Sequence, residues 1–231
     1  MPGLATLLPV TVAVAQCRDE DGPDGDLGLY PGEEVAVSRA VPQRRHEFIV
    51  ARSCARQALR RLGAPAGAIP KGPAGEPQWP PGVVGSITHC AGYAAAAVAW
   101  RGRMLGLGVD AEPNEPLPDG VLRLTASAGE IAQLHSLAAA DPRVQWERLQ
   151  FCAKEALYKA WYPVQQRWLG FEDVDVQLGR DGWFCCRLLA PTADGPFAKC
   201  RGRWALDQGL LLAAVSLPAA SASRSSSATV P

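Results

Sequence analysis

Four short segments that alternate apolar and polar residues follow one another near the end of the chain, between residues 171 and 218. They read FEDVDVQL, WFCCRLL, FAKCRGRWAL and GLLLAAVSL, and turns separate them. A period of two predicts β-strands, and short connections require neighbouring strands to run antiparallel. We therefore expect a four-stranded antiparallel meander in the C-terminal part of the chain.

A different periodicity predicts a long helix from Pro42 to Leu62. Apolar residues recur there at three- and four-residue spacing, Pro42 suits the first turn, and Gly63 is a natural stop. Alternating or small residues predict strands elsewhere. The predicted strands span Leu7–Gln16, Val83–Trp100 and Met104–Pro113.

Two more helices are predicted before the meander. Ser127 and Glu130 form a capping-box pattern at the start of the first. Asp141 and Pro142 open the second, and Pro163 closes it. Strands and helices in this order predict an α+β fold.

The order of elements also predicts two halves, residues 1–103 and 104–217. The remaining tail, residues 218–231, is small and polar, so we expect it to be disordered. The proline- and glycine-rich stretch GAPAGAIPKGPAGEPQWPPG predicts a long ordered loop or a binding edge.

Composition excludes several classes of protein. Of 231 residues, 23 are Lys or Arg and 23 are Asp or Glu, so no global field favours nucleic acid or a membrane. No apolar run reaches the roughly 20 residues of a spanning helix, and the N-terminal apolar stretch lacks a basic start. Seven cysteines without a CxxC pair favour reduced thiols. We expect a cytoplasmic monomer.

The motif GVDAE offers two carboxylates. In an extended strand, Asp110 and Glu112 lie two residues apart and leave the same face. Adjacent carboxylates repel unless a cation lies between them, and Mg²⁺ takes oxygen ligands. A solvated strand end is the alternative interpretation.

The motif KEALYK carries an acid between two cations. Glu155 and Lys159 lie four residues apart on one helical face, and Lys154 lies about 100° away from Glu155 around the axis. An isolated pair of this kind is usually a weak surface ion pair. Opposite GVDAE, it would complete a site for a metal and a phosphate.

Other polar residues could bind an anion. The motif GSITHC contains Thr88 and His89, and the predicted first helix carries Arg45, Arg52 and Arg56 on one side. A structural histidine and a solvated arginine row are the alternatives. The three histidines of the chain lack ligand spacing, which argues against zinc.

Taken together and in this order, four motifs resemble those of the 4′-phosphopantetheinyl transferases. They are RRHEFIVARSCARQALRRLG, GEPQWPPGVVGSITHC, LGLGVDAEP and FCAKEALYKAWYP, which span about residues 44–163. The resemblance is strongest with the two-domain, Sfp-like group and its siderophore-synthesis branch. It implies a pseudo-twofold pair of similar α+β halves, with coenzyme A and Mg²⁺ between them.

The resemblance also implies a reaction and its residues. 4′-Phosphopantetheine moves from coenzyme A to a serine of an acyl or peptidyl carrier protein, and adenosine 3′,5′-bisphosphate is released. The implied metal ligands are Asp110, Glu112 and Glu155, and the implied catalytic residues are Glu155 and Lys159. The residues implied to bind coenzyme A are Arg45, Arg52, Lys71, Thr88, His89, Lys154 and Lys159.

Three questions stay open at the level of sequence. Glu76 stands where many relatives carry a basic residue, and Lys71 could replace that residue. Glu155 could take the serine proton directly or through a water coordinated by the metal. The carrier could contact Leu117–Leu124, or Trp161 and Trp168, although core packing is the preferred interpretation for the tryptophans.

Two other functions are compatible with parts of the pattern. A non-catalytic module could bind coenzyme A or a carrier protein, but such a module would not need three acidic residues around a cation. A Mg²⁺-dependent phosphohydrolase could use the same carboxylates, but nothing in the sequence indicates a positioned hydrolytic water.

Overall fold

The computed structural model describes residues 3–18, 27–189 and 195–219. In these ranges, eight strands form two antiparallel sheets, and four α-helices accompany them. The N-terminal sheet has the order β1-β3-β2, with β1 at Ala13–Arg18, β2 at Val83–Cys90 and β3 at Tyr93–Trp100. The helices are α1 (Pro42–Leu62), α2 (Val121–Thr125), α3 (Ala128–Ala140) and α4 (Trp146–Gln165).

The C-terminal sheet contains five strands in the order β4-β8-β7-β6-β5. They are β4 (Met104–Pro113), β5 (Val174–Leu178), β6 (Trp183–Leu188), β7 (Lys199–Asp207) and β8 (Leu210–Pro218). The last four strands form the predicted antiparallel meander. The mixture of helices and antiparallel sheets confirms the predicted α+β class.

The two sheets meet along β2 and β4, which are edge strands. Two hydroxyls of β2 accept hydrogen bonds from β4: Ser86 Oγ from the Val109 N–H and Thr88 Oγ1 from the Ala111 N–H, both at 3.0 Å. The side chains take the place of backbone carbonyls, so backbone donors of an otherwise bare edge are satisfied. This seam places Thr88 beside Asp110.

Each sheet packs against one long helix. Small residues of α1, such as Ala51, Ala55 and Ala58, lie against β1 and β3, which carry alanines of their own. Helix α4 covers β4 and β8 through residues including Ala153, Ala156 and Ala160. Because these side chains are small, both helices lie close to their sheets.

Several local predictions are confirmed. Helix α1 begins at Pro42 and ends at Leu62, and Gly63 takes the left-handed conformation with φ of 76°. The Ser127–Glu130 capping box forms at the start of α3. These signals act over a few residues, which is why the sequence alone reveals them.

Two strand predictions are corrected. The segment Leu7–Gln16 is not one strand: Leu4–Leu7 form a 3₁₀ helix, and β1 starts only at Ala13. Pro9 lacks an N–H and accepts a turn hydrogen bond from Val12, so pairing cannot start earlier. The segment predicted as a strand from Val83 to Trp100 is the hairpin of β2 and β3, which turns at Gly92 with φ of 74°.

The predicted limits of α4 are also corrected. Asp141 is the C-terminal cap of α3 rather than the start of α4, because a residue before proline disfavours the helical conformation. Helix α4 begins at Trp146, and Pro163 lies inside its last turn instead of ending it. Because Pro163 has no N–H, the intrahelical hydrogen bond to the Lys159 carbonyl is missing, and the helix ends two residues later at Gln165.

The acidic residues 19–26 and most of the predicted disordered tail, residues 220–231, lie outside the described residues. The division of the chain after residue 103 stays a prediction. Among the described residues, no helix is long and apolar enough to cross a membrane.

Candidate active site

Asp110 of β4 lies at the centre of the candidate site. Its side chain is 6% exposed, and its Oδ1 accepts hydrogen bonds from Lys159 Nζ at 2.7 Å and Thr88 Oγ1 at 3.2 Å. Its Oδ2 is buried and has no hydrogen-bond partner among the described residues. A buried carboxylate oxygen without a partner carries a large desolvation penalty, so it marks a place where a ligand is expected.

The facing side of α4 supplies a row of functional side chains. Arg148, Cys152, Glu155 and Lys159 are spaced by four, three and four residues, so they share one helical face. Arg148 donates to Glu112 Oε2 at 2.9 Å, and Cys152 is buried. The sequence pattern therefore does bring GVDAE and KEALYK together, as predicted.

Gly108 allows α4 to come this close to β4. A Cβ at this position would overlap the Ala156 carbonyl oxygen and lie 2.6 Å from the Ala160 nitrogen, and both are backbone atoms. Neither neighbour can move without displacing the helix. Gly108 therefore sets the separation between Asp110 on the strand and Lys159 on the helix.

A cavity of about 390 Å³ opens beside this row. Glu155, Tyr158, Lys159 and Tyr162 of α4 form one wall. The other walls come from α1, β2 and the proline-rich loop, and they include Arg44, Phe48, Arg52, Lys71, Glu76, Thr88 and His89. The long loop is therefore an ordered part of the cavity.

The wall opposite α4 is mainly basic. Arg52 is buried, donates to the Ile69 carbonyl at 2.8 Å and lies over the Phe48 ring. The Lys71 ammonium makes no hydrogen bond or ion pair with a described residue, and a backbone bridge to Pro77 holds its loop closed. Arg44 contacts the His89 imidazole and Glu47.

Two of the predicted arginines lie elsewhere. Arg45 is exposed and does not line the cavity, whereas its neighbour Arg44 does. Arg56 is fully buried and makes an ion pair with Glu33 at 3.1 Å. The three arginines predicted on one side of α1 therefore do not form a single anion-binding face.

Lys154 does not reach the cavity either. Its side chain is 1% exposed, and its ammonium donates to Glu130 Oε2 at 3.0 Å and to the carbonyls of Thr125 at 2.7 Å and Phe171 at 2.9 Å. These contacts lie on the other side of α4 from Asp110. The predicted contact between Lys154 and coenzyme A finds no support in this arrangement.

Burial and the charge of a neighbouring acid raise the pKa of two carboxyl groups of the site. Burial raises the pKa of Glu155, and the negative charge of Asp110 raises it further, while Lys159 opposes both. Burial and then Asp110 also raise the pKa of Glu112, against the effect of Arg148. A carboxylate with a raised pKa is a better proton acceptor near neutral pH than an ordinary one.

The pKa values of the basic groups in the site shift in different directions. Burial lowers the pKa of Lys159, but the charge and hydrogen bond of Asp110, helped by Glu155, outweigh it and raise the pKa overall. Burial and then Arg44 lower the pKa of His89 to about 4, so His89 is neutral at neutral pH. Burial is also the main cause that lowers the pKa of Arg52 to about 10.

The donor set fits a hard cation in part. Among the described residues, no group of three His, Cys, Asp or Glu side chains is arranged to hold a metal ion. Asp110 Oδ2 has no partner, however, and the Glu155 carboxylate accepts no hydrogen bond within the described part of the chain. Glu112, the third predicted ligand, shares its carboxylate with Arg148. Oxygens of this kind suit Mg²⁺.

The sequence analysis missed four contributors to the site. Arg148 could have been found by extending the helical face from Lys159 back by eleven residues. Tyr158 and Tyr162 carry no such signal, because aromatic residues in a helix usually pack in a core. Arg44 was missed because neighbouring arginines differ by about 100° around a helix and no local pattern distinguishes them.

The apolar residues considered for carrier contact differ in exposure. Trp161 is buried against Phe197, with ring centroids 5.2 Å apart, which confirms core packing for this tryptophan. Trp168 is 78% exposed and packs its ring against Tyr158 of the cavity wall. Leu124 is 79% exposed on α2.

Comparison with known proteins agrees with this geometry. Residues 32–99 match the family described as 4′-phosphopantetheinyl transferase N-terminal domain, and residues 106–210 match the 4′-phosphopantetheinyl transferase superfamily. The chain is 46% identical over 224 residues to 4′-phosphopantetheinyl transferase Svp of Streptomyces mobaraensis, covering 94% of this chain and 89% of that protein.

Two other relatives are similar over nearly their whole length. 4′-Phosphopantetheinyl transferase PptT of Mycobacterium tuberculosis is 44% identical, with 93% of this chain and 97% of that protein covered. 4′-Phosphopantetheinyl transferase Npt of Nocardia iowensis is 43% identical, with 92% and 98% covered. With matches in both halves and relatives of this identity, the chain belongs to the 4′-phosphopantetheinyl transferase superfamily of enzymes.

Proposed function

We propose that this chain transfers the 4′-phosphopantetheine group of coenzyme A to a serine of an apo carrier protein in a Mg²⁺-dependent reaction. One observation carries the proposal beyond family membership. Glu155 and Lys159 form one wall of a cavity, and Lys159 donates to the buried Asp110 behind that wall, while the other walls carry Arg44, Arg52 and other basic groups. Such a cavity suits a polyphosphate that reacts at its acidic wall.

The basic walls are proposed to hold coenzyme A. Arg52 and Lys71 would neutralise phosphates of the nucleotide, with Lys71 in the role of the basic residue that Glu76 replaces. His89 is neutral and can offer a hydrogen bond to the 3′-phosphate. The Thr88 hydroxyl already donates to Asp110, so its part is to orient that carboxylate.

The acidic wall is proposed to carry out the transfer. Glu155, whose carboxylate accepts no hydrogen bond from the described residues, takes the proton of the incoming serine hydroxyl either directly or through a water. The serine oxygen forms a bond to the β-phosphorus as the bond from that phosphorus to the bridging oxygen breaks, and adenosine 3′,5′-bisphosphate leaves. Lys159 stabilises the charge that develops on the leaving phosphate.

Asp110, Glu112 and Glu155 are proposed to hold Mg²⁺. The unpartnered Oδ2 of Asp110 supports this assignment most strongly. When bound, the ion would supply positive charge that neutralises the pyrophosphate. Arg148 keeps Glu112 oriented toward the same region through its hydrogen bond at 2.9 Å.

We also propose the class of partner, the cellular compartment and the oligomeric state. Carriers of polyketide, non-ribosomal peptide, siderophore or fatty acid synthesis are all candidates. No disulfide joins any of the seven cysteines, all of which lie among the described residues, and this supports a reducing cytoplasm. A monomer is proposed because each sheet is covered by its own helix.

A transfer assay tests the proposed function. Purified protein is incubated with an apo carrier protein, coenzyme A and Mg²⁺, and the carrier is weighed by mass spectrometry. We expect a mass gain of one phosphopantetheine group, and loss of that gain in D110A and E155A. D175A is the matched control, because Asp175 is an acid on β5 that pairs with Arg187 away from the cavity.

The alternatives predict different results. A binding module would retain coenzyme A without modifying any carrier. A phosphohydrolase would release phosphate when no carrier is present. Full transfer by both D110A and E155A would show that the reaction takes place elsewhere.

A further inference from the structure

Lys154 is a buried cation with every donor used. Its three N–H groups meet three acceptors: Glu130 Oε2, the Thr125 carbonyl and the Phe171 carbonyl, at 2.7 to 3.0 Å. An ammonium group has three donors, so none remains for a phosphate. The side chain could reach coenzyme A only by breaking contacts that are out of reach of water.

The Glu130 carboxylate likewise accepts two hydrogen bonds at each of its oxygens. Its Oε2 accepts from Lys154 and from the Ser127 N–H, which is the capping-box bond at 2.7 Å. Its Oε1 accepts from Gln150 at 2.6 Å and from the Val176 N–H at 2.8 Å. The Lys154–Glu130 pair therefore ties α3 and β5 to α4. All polar atoms of the pair are satisfied, which a buried charge pair needs in order to be stable.

The contacts of Lys154 end on two short segments that flank α4, and one of them packs on the turn of α4 before Glu155. Thr125 closes α2, next to the exposed Leu124, and Phe171 opens a 3₁₀ helix at Phe171–Asp173. The Phe171 ring stacks on Phe151 at 5.8 Å, one turn of α4 before Glu155. We call residues 121–125 and 171–173 the acceptor lip.

We propose that Lys154 is a positioning residue that holds the acceptor lip beside Glu155, and that it acts on use of the carrier protein rather than on binding of coenzyme A. The inference rests on the proposed function, in which a carrier serine must approach Glu155. Lys154 donates to a backbone carbonyl in each lip segment. The contact therefore depends on the Lys154 ammonium and less on which side chains the lip residues carry.

Hydrogen exchange gives the first test. In K154M/E130Q both charges are removed together, so no unpaired buried charge remains. Faster amide exchange is expected in residues 121–127 and 170–173, with unchanged exchange in the cavity walls at residues 71–77 and 85–89. The milder variant K154R keeps a cation opposite Glu130 but cannot place its donors on all three acceptors in the same geometry, so it should show the same pattern to a smaller extent, and the test does not depend on one variant folding.

Binding and kinetics give the second test. The Kd of coenzyme A, from calorimetry, should stay within about threefold of wild type, while kcat/KM for the carrier falls by about tenfold or more at saturating coenzyme A. V215A, a cavity-creating change in the core on β8, is the control for lost stability alone and should not change kcat/KM of the folded protein.

The inference is overturned if coenzyme A binding weakens about tenfold or more while exchange in the lip is unchanged, since that is the result of a lost phosphate contact. It is also overturned if V215A lowers kcat/KM as much as K154M/E130Q does. If the proposed function itself is wrong, the result differs from both of these. The wild-type protein would then modify no carrier, while amide exchange in the lip would still depend on Lys154.

Discussion

Lys154 and Lys159 lie on the same helix, five residues apart, and each is paired with an acid, yet their surroundings differ. Lys154 is 1% exposed and donates to three acceptors, whereas Lys159 is 29% exposed and donates one hydrogen bond, to Asp110. The acid of the first pair is fully satisfied, while Asp110 keeps a buried oxygen that has no hydrogen-bond partner within the described ranges of the chain. A complete pair holds structure together, and an incomplete pair can bind a ligand.

The largest expected effect comes from K154M, which breaks the complete pair. Glu130 would remain buried with a charge and no cation, so the free energy of unfolding should fall by about 3–5 kcal/mol. Chemical denaturation measures it, and K154M/E130Q should recover part of the loss. A loss below about 1 kcal/mol would mean that the two lysines have similar roles.

The variant K159M acts on the incomplete pair. Removing a cation from the proposed leaving-group contact should lower kcat by about 10²- to 10³-fold. The loss of unfolding free energy should be smaller than in K154M, because Lys159 is partly exposed and makes one bond. Steady-state transfer assays and denaturation on the same preparations give both values. The comparison breaks down if K159M is as unstable as K154M.

The third variant, G108A, changes the distance between strand and helix. The added methyl group meets backbone atoms of Ala156 and Ala160, so either β4 or α4 must shift. Overpacking of this kind should cost about 1–3 kcal/mol of unfolding free energy. Transfer should fall as well, because Asp110 and Lys159 separate. G106A would not serve as a control, since Gly106 is also close to α4; A205G on β7, away from α4, serves instead.

The smallest expected effect concerns pH. The pKa of His89 is about 4 in the folded protein against 6.5 ordinarily, so its contribution to stability is complete above pH 6.5 and is lost as pH falls toward 4. Relative to wild type, H89Q should therefore lose less unfolding free energy as the pH falls through this window. Glu112 and Glu155, with raised pKa values, act in the opposite direction and cancel in the difference between the variants.

Denaturation of wild type and H89Q at several pH values between 4 and 7 checks this prediction. Parallel stability curves for the two proteins would mean that His89 titrates as in the unfolded chain. That result would remove the basis for a neutral His89 facing the nucleotide.

The sequence predicted elements wherever the signal was local. Helix α1 and the Ser127–Glu130 capping box were found because caps and periodicity act within a few residues. The strand predicted at Leu7–Gln16 was wrong because alternation continued through Pro9, which cannot pair. Local patterns do not reveal which proline ends an element and which lies within it, as Pro163 does.

The sequence placed Lys154 and Lys159 on one helix, but it did not reveal their different roles. Lys154 and Lys159 stand in one motif, and only the packing of α3 and β5 shows that Lys154 has its own acid in Glu130. The capping box identified Glu130 as a local helix start, but its bonds to Gln150 and Val176 depend on tertiary contacts. Conversely, Asp110 and Glu155 were expected together, because motifs of the family place them so.

Metal binding by the unpartnered oxygen of Asp110 is the most direct test of the whole account. Mn²⁺ serves as a spectroscopic probe for Mg²⁺, and its binding is followed by electron paramagnetic resonance with and without coenzyme A. Wild type and the control D175N should each bind one ion per chain in the presence of coenzyme A, and D110N should lose that binding while it stays folded. Equal binding by D110N and wild type would contradict the proposed site.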